Sequence, residues 1–299
     1  MAAPTTADPN RLATSSRSPR SRLAQSGFRV AMLLALSVAI VTLAALLIQV
    51  LVEGWPRLNL DVLTQFPSSR PGTAGAQSAI FGTLWVMGVV IVTCIPVGIG
   101  AAIYLEEYAN PNRWYNRMIE VNIQNLAAVP SIVYGILGLA FLARGWAGLG
   151  TTVLAAGLTL ALLVLPIVII ASREAIRAVP RAIREASLAL GATEWQTIRR
   201  QTLPAAIPGI ATGSILALSR AIGEAAPLLL LGALTFVTFN PSGLDSAFAV
   251  LPVQIYQWIS RPQEEFKVLA AAAIVVLLVM LLAMNGTAIW LRRRYQRRW

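Results

Sequence analysis

The sequence contains no histidine and only one cysteine, Cys94, in 299 residues. Without histidine, imidazole acid–base catalysis and every His-containing triad are excluded. One cysteine cannot form a disulfide within the chain, and with no histidine beside it no Cys/His metal site can be assembled. Cys94 lies in an apolar run and reads as a small buried hydrophobe. Lysine is almost absent, Lys267 being the only one. No Gly-rich Gly-Lys-Ser/Thr phosphate loop appears, so the chain does not itself hydrolyse ATP. No stretch shows strand-like alternation. Charge is scarce too: 12% of residues are charged, where a soluble domain carries about 25%.

What is abundant is apolar sequence, 57% of the chain, with a net charge of +11 carried almost wholly by arginine. A basic chain can signal nucleic-acid binding, but here the arginines sit in short blocks beside apolar runs. Membrane topology accounts for that distribution better than phosphate-backbone contact does. The expected fold class is therefore all-α, a polytopic helix bundle of six transmembrane helices.

Residues 1–27 are rich in Ser, Pro, Ala, Thr and Arg and have too few apolar groups for a core, so they read as a disordered tail. A first span, 28–52, is too long for the apolar core of a cleaved signal peptide and reads as a retained helix. Residues 53–77 read as a polar loop. The second span, 78–105, has glycines suited to close packing and Pro96 as a kink site. A polar turn covers 106–118. The third span, 119–142, begins with Glu120, Asn122, Gln124 and Asn125, which should face protein or water, and Pro130 and Gly135 interrupt it. The fourth is 150–171. The fifth, 205–236, is longer than a crossing needs, so it should tilt or bend. A loop at 237–266 holds a half-apolar segment, 251–258. The sixth span, 268–291, ends in a basic tail, 292–299.

Orientation follows from the basic residues. With both termini inside, the cytoplasmic pieces hold five, two, six and five of them, eighteen in all, against five in the outer loops. That bias places both termini in the cytoplasm.

Residues 181–204, RAIREASLALGATEWQTIRRQTLP, form a polar stretch between two apolar runs. Pro180 suits a helix start. Gly191 can take the left-handed conformation that ends a helix, and Thr193 with Gln196 fits a capping box that starts the next. A helix, a turn and a second helix on the cytoplasmic side read as a docking device. The stretch resembles the coupling loop of ABC-importer permeases, which sits in a groove of the ATPase subunit. Glu185, Ala186, Gly191, Leu203 and Pro204 stand at the family's positions. Ser187 replaces a second Ala and Gln201 replaces an Ile. Small residues at Ala186 and Ser187 let a partner surface approach, and Glu185 can pair with a basic group.

Arg220 and Glu224 lie in the fifth span, in SRAIGEAAPLLL. A charge inside the membrane needs a partner or water. At i, i+4 the two can neutralise each other as a structural pair. Alternatively they mark a solute path, with Gly223 and Pro227 bending the helix beside them. An arginine offers a planar donor fork for an oxyanion. A carboxylate can accept a hydrogen bond from hydrogen phosphate, which fully deprotonated sulfate does not offer.

Four segments together resemble the PstA permeases of phosphate-specific ABC importers: Ser219-Arg-Ala-Ile-Gly-Glu-Ala-Ala-Pro227, Val129-Pro-Ser-Ile-Val-Tyr-Gly135, Ile95-Pro-Val-Gly-Ile-Gly-Ala-Ala-Ile-Tyr-Leu-Glu-Glu-Tyr-Ala109 and Leu251-Pro-Val-Gln-Ile-Tyr256. The resemblance covers residues 75–290. It implies a type I ABC importer permease fold, with a permease core at 75–291 and its coupling helix in residues 181–204. It also implies a heterodimer with a second, PstC-like permease, two copies of a PstB-like ATPase that carries ATP and magnesium, and an extracytoplasmic PstS-like phosphate-binding protein in the bacterial inner membrane. It assigns Arg220 and Glu224 to phosphate passage. This chain would bind no cofactor or metal. Other readings remain: a sulfate or molybdate permease, the sister PstC-type subunit, an intramembrane hydrolase (for which Ser214 and Ser219 have no base), or a passive scaffold.

Overall fold

A computed structural model describes residues 19–295, apart from 111, 146 and 233–235. The chain divides into two units, Met1–Val50 and Leu51–Trp299. The first unit's described part, residues 19–50, belongs to one helix, α1 (Pro19–Gly54). Residues 19–27, expected to be disordered, are helical: the run PRSRLAQSG lacks an internal breaker and extends the apolar helix that follows. The remainder of the expected tail, 1–18, lies outside the described residues.

The second unit contains helices joined by short turns, and among the described residues there is one isolated antiparallel bridge, Thr152 to Ala247, and no strand. α2 (Leu60–Thr64) is capped by Asn59, whose side chain accepts from the Val62 amide. The 53–77 region is thus folded rather than an open loop. Val62, Ala74 and Ala76 are buried with Trp258, Phe266 and Leu269 in one cluster.

α3 (Gln77–Ile103) carries Pro96 within it and ends in a π-helical turn, Tyr104–Tyr108. α4 (Trp114–Ala128) and α5 (Ser131–Leu137) were expected as one span. The expected interruption at Pro130 is a sharp bend, the two helices meeting at an angle of 104°. The cause is local: Pro130 follows Val129, and a residue before proline is pushed out of the helical region. Val129 is extended, with φ −67° and ψ 132°. Of the polar residues there, Glu120 pairs with Arg173, whereas Asn122, Gln124 and Asn125 are exposed on the surface of this chain.

α6 (Val153–Arg177) is the most buried of the long apolar helices, packed between α3 and α9 (Leu203–Gly223). Small residues allow the close approach. A side chain on Gly209 would meet the Ala175 methyl at 2.6 Å, and one on Gly98 would meet Val168 at 2.7 Å. The main core draws Val86 and Val90 from α3, Leu160 and Val164 from α6, and Ala217 and Ala221 from α9.

Between α6 and α9 stand α7 (Arg181–Ala189), α8 (Glu194–Thr197) and a π-helical turn, Ile198–Thr202. After α9 comes the short α10 (Ala226–Leu231). The half-apolar segment of the 237–266 loop is α11 (Leu251–Ile259), with Trp258 fully buried. α12 (Glu264–Tyr295) extends beyond the expected span at both ends. Arg292, Arg293 and Arg294 are therefore its last turn and not a free tail, a favourable place for cations at a helix C-terminus. Residues 296–299 lie outside the described residues. Among the described residues, five helices are long and apolar enough to cross a membrane, six if the bent pair α4–α5 is one span.

Candidate functional site

The fifth span was expected to run to residue 236, with Arg220 and Glu224 near its middle. The helix stops at Gly223 instead. Glu224 is extended, with φ −80° and ψ 112°, and the chain resumes as α10 with Ala226 and Pro227 in its first turn. Proline is tolerated there because a first-turn amide needs no intrahelical partner. α10 ends at Gly232, whose φ of 105° is left-handed. The two charges therefore flank a helix break, where backbone groups leave the helical hydrogen-bond pattern.

Arg220 Nε lies 3.3 Å from Glu224 Oε1, the side chains being 48% and 19% exposed. The pair foreseen at i, i+4 forms, yet about half of the arginine is open on this chain's surface. Next to it, Ser219 Oγ lies 2.7 Å from the Ile215 carbonyl and 2.8 Å from Asn285 Oδ1. Asn285 was missed from the sequence. Its signal was an amide set inside the apolar run of the last span, where a polar group should find a partner on another helix.

The break is packed by a second irregular element. Gly135 of α5 abuts Pro227 of α10, and the two helices pack together. Both expected interruptions, at Pro130 and at Gly223–Pro227, thus lie in one neighbourhood of the bundle.

Residues 181–204 have the expected local structure. α7 follows Pro180, Gly191 has φ 83°, and Thr193 with Gln196 forms a complete capping box. In it the Gln196 amide donates to Thr193 Oγ1 at 3.3 Å and the Thr193 amide to Gln196 Oε1 at 3.0 Å. Ser187 Oγ lies 2.9 Å from Thr197 Oγ1 and links α7 to α8. Glu185, Ala186 and Gly191 are exposed, whereas Leu203 and Pro204 are half-buried where α9 begins. Leu190 is 90% exposed, and with Ile183, Ala186 and Gln201 it lines a groove of about 450 Å³.

Among the described residues no group of His, Cys, Asp or Glu has metal-binding geometry.

Residues 94–297 match the family described as binding-protein-dependent transport system inner membrane component. The chain is 31% identical over 263 residues to the probable ABC transporter permease YqgI of Bacillus subtilis, covering 83% of this chain and 88% of that protein. It is 33% identical over 264 residues to the phosphate transport system permease PstA 1 of Mycobacterium tuberculosis H37Rv, covering 85% and 83%. In structure it is similar to a chain of a bacterial alginate ABC transporter in complex with its alginate-bound periplasmic protein, with TM-score 0.68 and 20% identity over 94% of this chain and 99% of that one. The likeness in fold, the family match and these relatives agree. The chain belongs to the inner membrane components of binding-protein-dependent transport systems: it is a multi-pass permease subunit of an ABC importer, and not itself an enzyme.

Proposed function

We propose that this permease forms part of the translocation path for inorganic phosphate. Its carrying observation is the Arg220–Glu224 pair, 3.3 Å apart at the break between α9 and α10 with the guanidinium half open. A half-open arginine fork suits a tetrahedral oxyanion, and the adjacent carboxylate suits the one that keeps a proton. The relatives named as phosphate permeases support the same solute.

The proposed assembly is a heterodimer with a PstC-like permease, two PstB-like ATPase copies that carry ATP and magnesium, and a PstS-like phosphate-binding protein. Both termini, and the docking stretch, face the cytoplasm. Glu185, Ala186 and Gly191 meet the ATPase, while Leu203 and Pro204 join that surface to α9. ATP-driven closure of the ATPase pair moves α7 and α8, and the spans follow. The cycle runs because the two conformations differ in affinity for nucleotide.

The test is the reconstituted complex with its binding protein. Phosphate should stimulate ATP hydrolysis and sulfate should not. Equal stimulation by both anions sinks the phosphate reading.

A further inference from the structure

The second span ends in Leu105-Glu-Glu-Tyr108, a motif the transport reading leaves unused. Its two carboxylates lie side by side in the π-helical turn after α3, 15% and 11% exposed. Adjacent, poorly hydrated carboxylates repel each other and lose solvation, so they require cations. Three arginines from elsewhere in the sequence supply them. Arg177, at the end of α6, takes Glu106 in a two-point clasp, Nε to Oε1 at 2.9 Å and NH2 to Oε2 at 3.0 Å. Arg173, one turn earlier, approaches Glu106 at 3.5 Å and Glu120 of α4 at 3.0 Å. Arg184, in α7, donates to Glu107 at 2.7 Å and to the Ile176 carbonyl at 2.9 Å.

The placement of Arg184 carries the argument. α7 buries none of its residues. It lacks an apolar face pressed into the bundle, so packing holds it weakly. It is held by its chain connections, by contact with α8 and the Ile198–Thr202 turn, including Ser187–Thr197, and by the Arg184 bridge to the turn after α3. Among the described residues, Arg184–Glu107 is the one hydrogen bond or ion pair from an α7 side chain that reaches the turn after α3. Arg173 and Arg177 hold the neighbouring carboxylate from α6. The turn after α3 is thus tied to the helix before the docking stretch and to the docking stretch itself.

We propose that Glu107, acting through Arg184, is a positioning residue that makes the end of α3 follow α7, while Glu106, held by Arg177 and Arg173, ties the same turn to α6. This inference rests on the coupling role proposed above, but on no particular solute. The bidentate Arg177–Glu106 clasp resists rotation of that turn against α6 as well as separation, and Arg184–Glu107 adds the one contact from α7. The π-helical turn concentrates both carboxylates within one turn of the last regular residue of α3. Displacement of α7 therefore pulls the end of the second span directly, in addition to the path through α9.

The experiment uses the assembled complex with its ATPase and a single reporter cysteine, Val97→Cys, on a Cys94→Ala chain. Val97 lies on α3 and is exposed. In the parent, ATP should change the labelling rate of that cysteine by about fivefold or more, the size expected of coupled sites. In Glu107→Gln and in Arg184→Gln the change should fall below about twofold while the ATPase still co-purifies. The double variant should be no worse than either single one, since both remove one link. Arg184→Lys, which keeps the charge, should restore most of the response. An undiminished response in Glu107→Gln, losses that multiply in the double variant, a parent indifferent to ATP, or loss of the ATPase from the variants each overturns the clamp. Failure of the phosphate reading appears elsewhere, as an ATPase indifferent to phosphate, and leaves this reporter unaffected.

Discussion

Gly135 lies so close to Pro227 that a methyl group on it would stand 2.6 Å from the proline Cα and 2.8 Å from its carbonyl oxygen. Backbone at that distance cannot swing away as a side chain can. The contact fastens α5, which follows the sharp turn at Pro130, to α10, which follows the break at Glu224. Gly135→Ala should therefore displace α10 and cost about 1–3 kcal/mol, the usual range for overpacking. Thermal unfolding in detergent reads the cost, and uptake reads the displaced break. Gly88 has nothing within 4 Å of an added Cβ. Gly88→Ala in α3 should be neutral or stabilising by about 0.5–1 kcal/mol, since alanine is the better helix former. Equal costs at the two sites would rule out the close approach as the cause.

The charge pair at the break separates a path role from a structural one. Removing one charge-assisted contact to an anion is worth about 1.5–3 kcal/mol, or tenfold and more in transport efficiency. Arg220→Ala should lower phosphate uptake by that factor at normal assembly. Arg220→Lys keeps the charge but not the planar fork, so it should restore uptake only partly. Glu224→Gln should narrow the preference for phosphate over sulfate. The structural reading expects otherwise: there Arg220→Ala/Glu224→Ala, with no charge left to pair, recovers full uptake. Radiolabelled uptake with both anions distinguishes them.

Gly191 tests the docking turn. Its φ of 83° lies in the left-handed region, which costs a residue with a Cβ about 1–2 kcal/mol. Nothing lies within 4 Å of an added Cβ, so the strain is purely backbone. Gly191→Val should reorient α7 against α8 and abolish co-purification of the ATPase. Gly191→Asn, which tolerates this conformation, should retain much of it. Retention by the valine variant would show that the turn does not set the docking surface.

What the sequence revealed depended on the range of the interaction. The Gly191 turn and the Thr193–Gln196 box were legible because each is decided within a few residues. Apolar runs marked the long helices for the same reason. The 104° bend was legible only as an interruption at Pro130, because proline marks a breakpoint but not the direction taken beyond it. The early end of α9 was legible only as a bend at Gly223 and Pro227, because the largely apolar run from Ala225 to Phe236 favours a longer span. Hydropathy also hid the buried cap around Val62 and Trp258 inside regions that read as loops. The Glu106 and Glu107 clasp was least legible of all. Its arginines lie 71 and 77 residues away in sequence, and only the fold brings them together.

Topology provides the last test. Leu190, next to the Gly191 turn, is 90% exposed on this chain. On the proposed docking role, a leucine offered to solvent at this turn favours burial against the partner. In a Cys94→Ala chain, Leu190→Cys should react with a membrane-impermeant maleimide only in inside-out vesicles. Ser69→Cys, exposed in the region before α3, should react only in the opposite orientation. If residue 190 meets the ATPase, bound ATPase should also shield it, by about tenfold or more for a site fully covered by a specific interface. Reaction of residue 190 from outside the cell would remove the coupling role. Reaction from inside with no shielding would keep the orientation and move the ATPase contact elsewhere on the stretch.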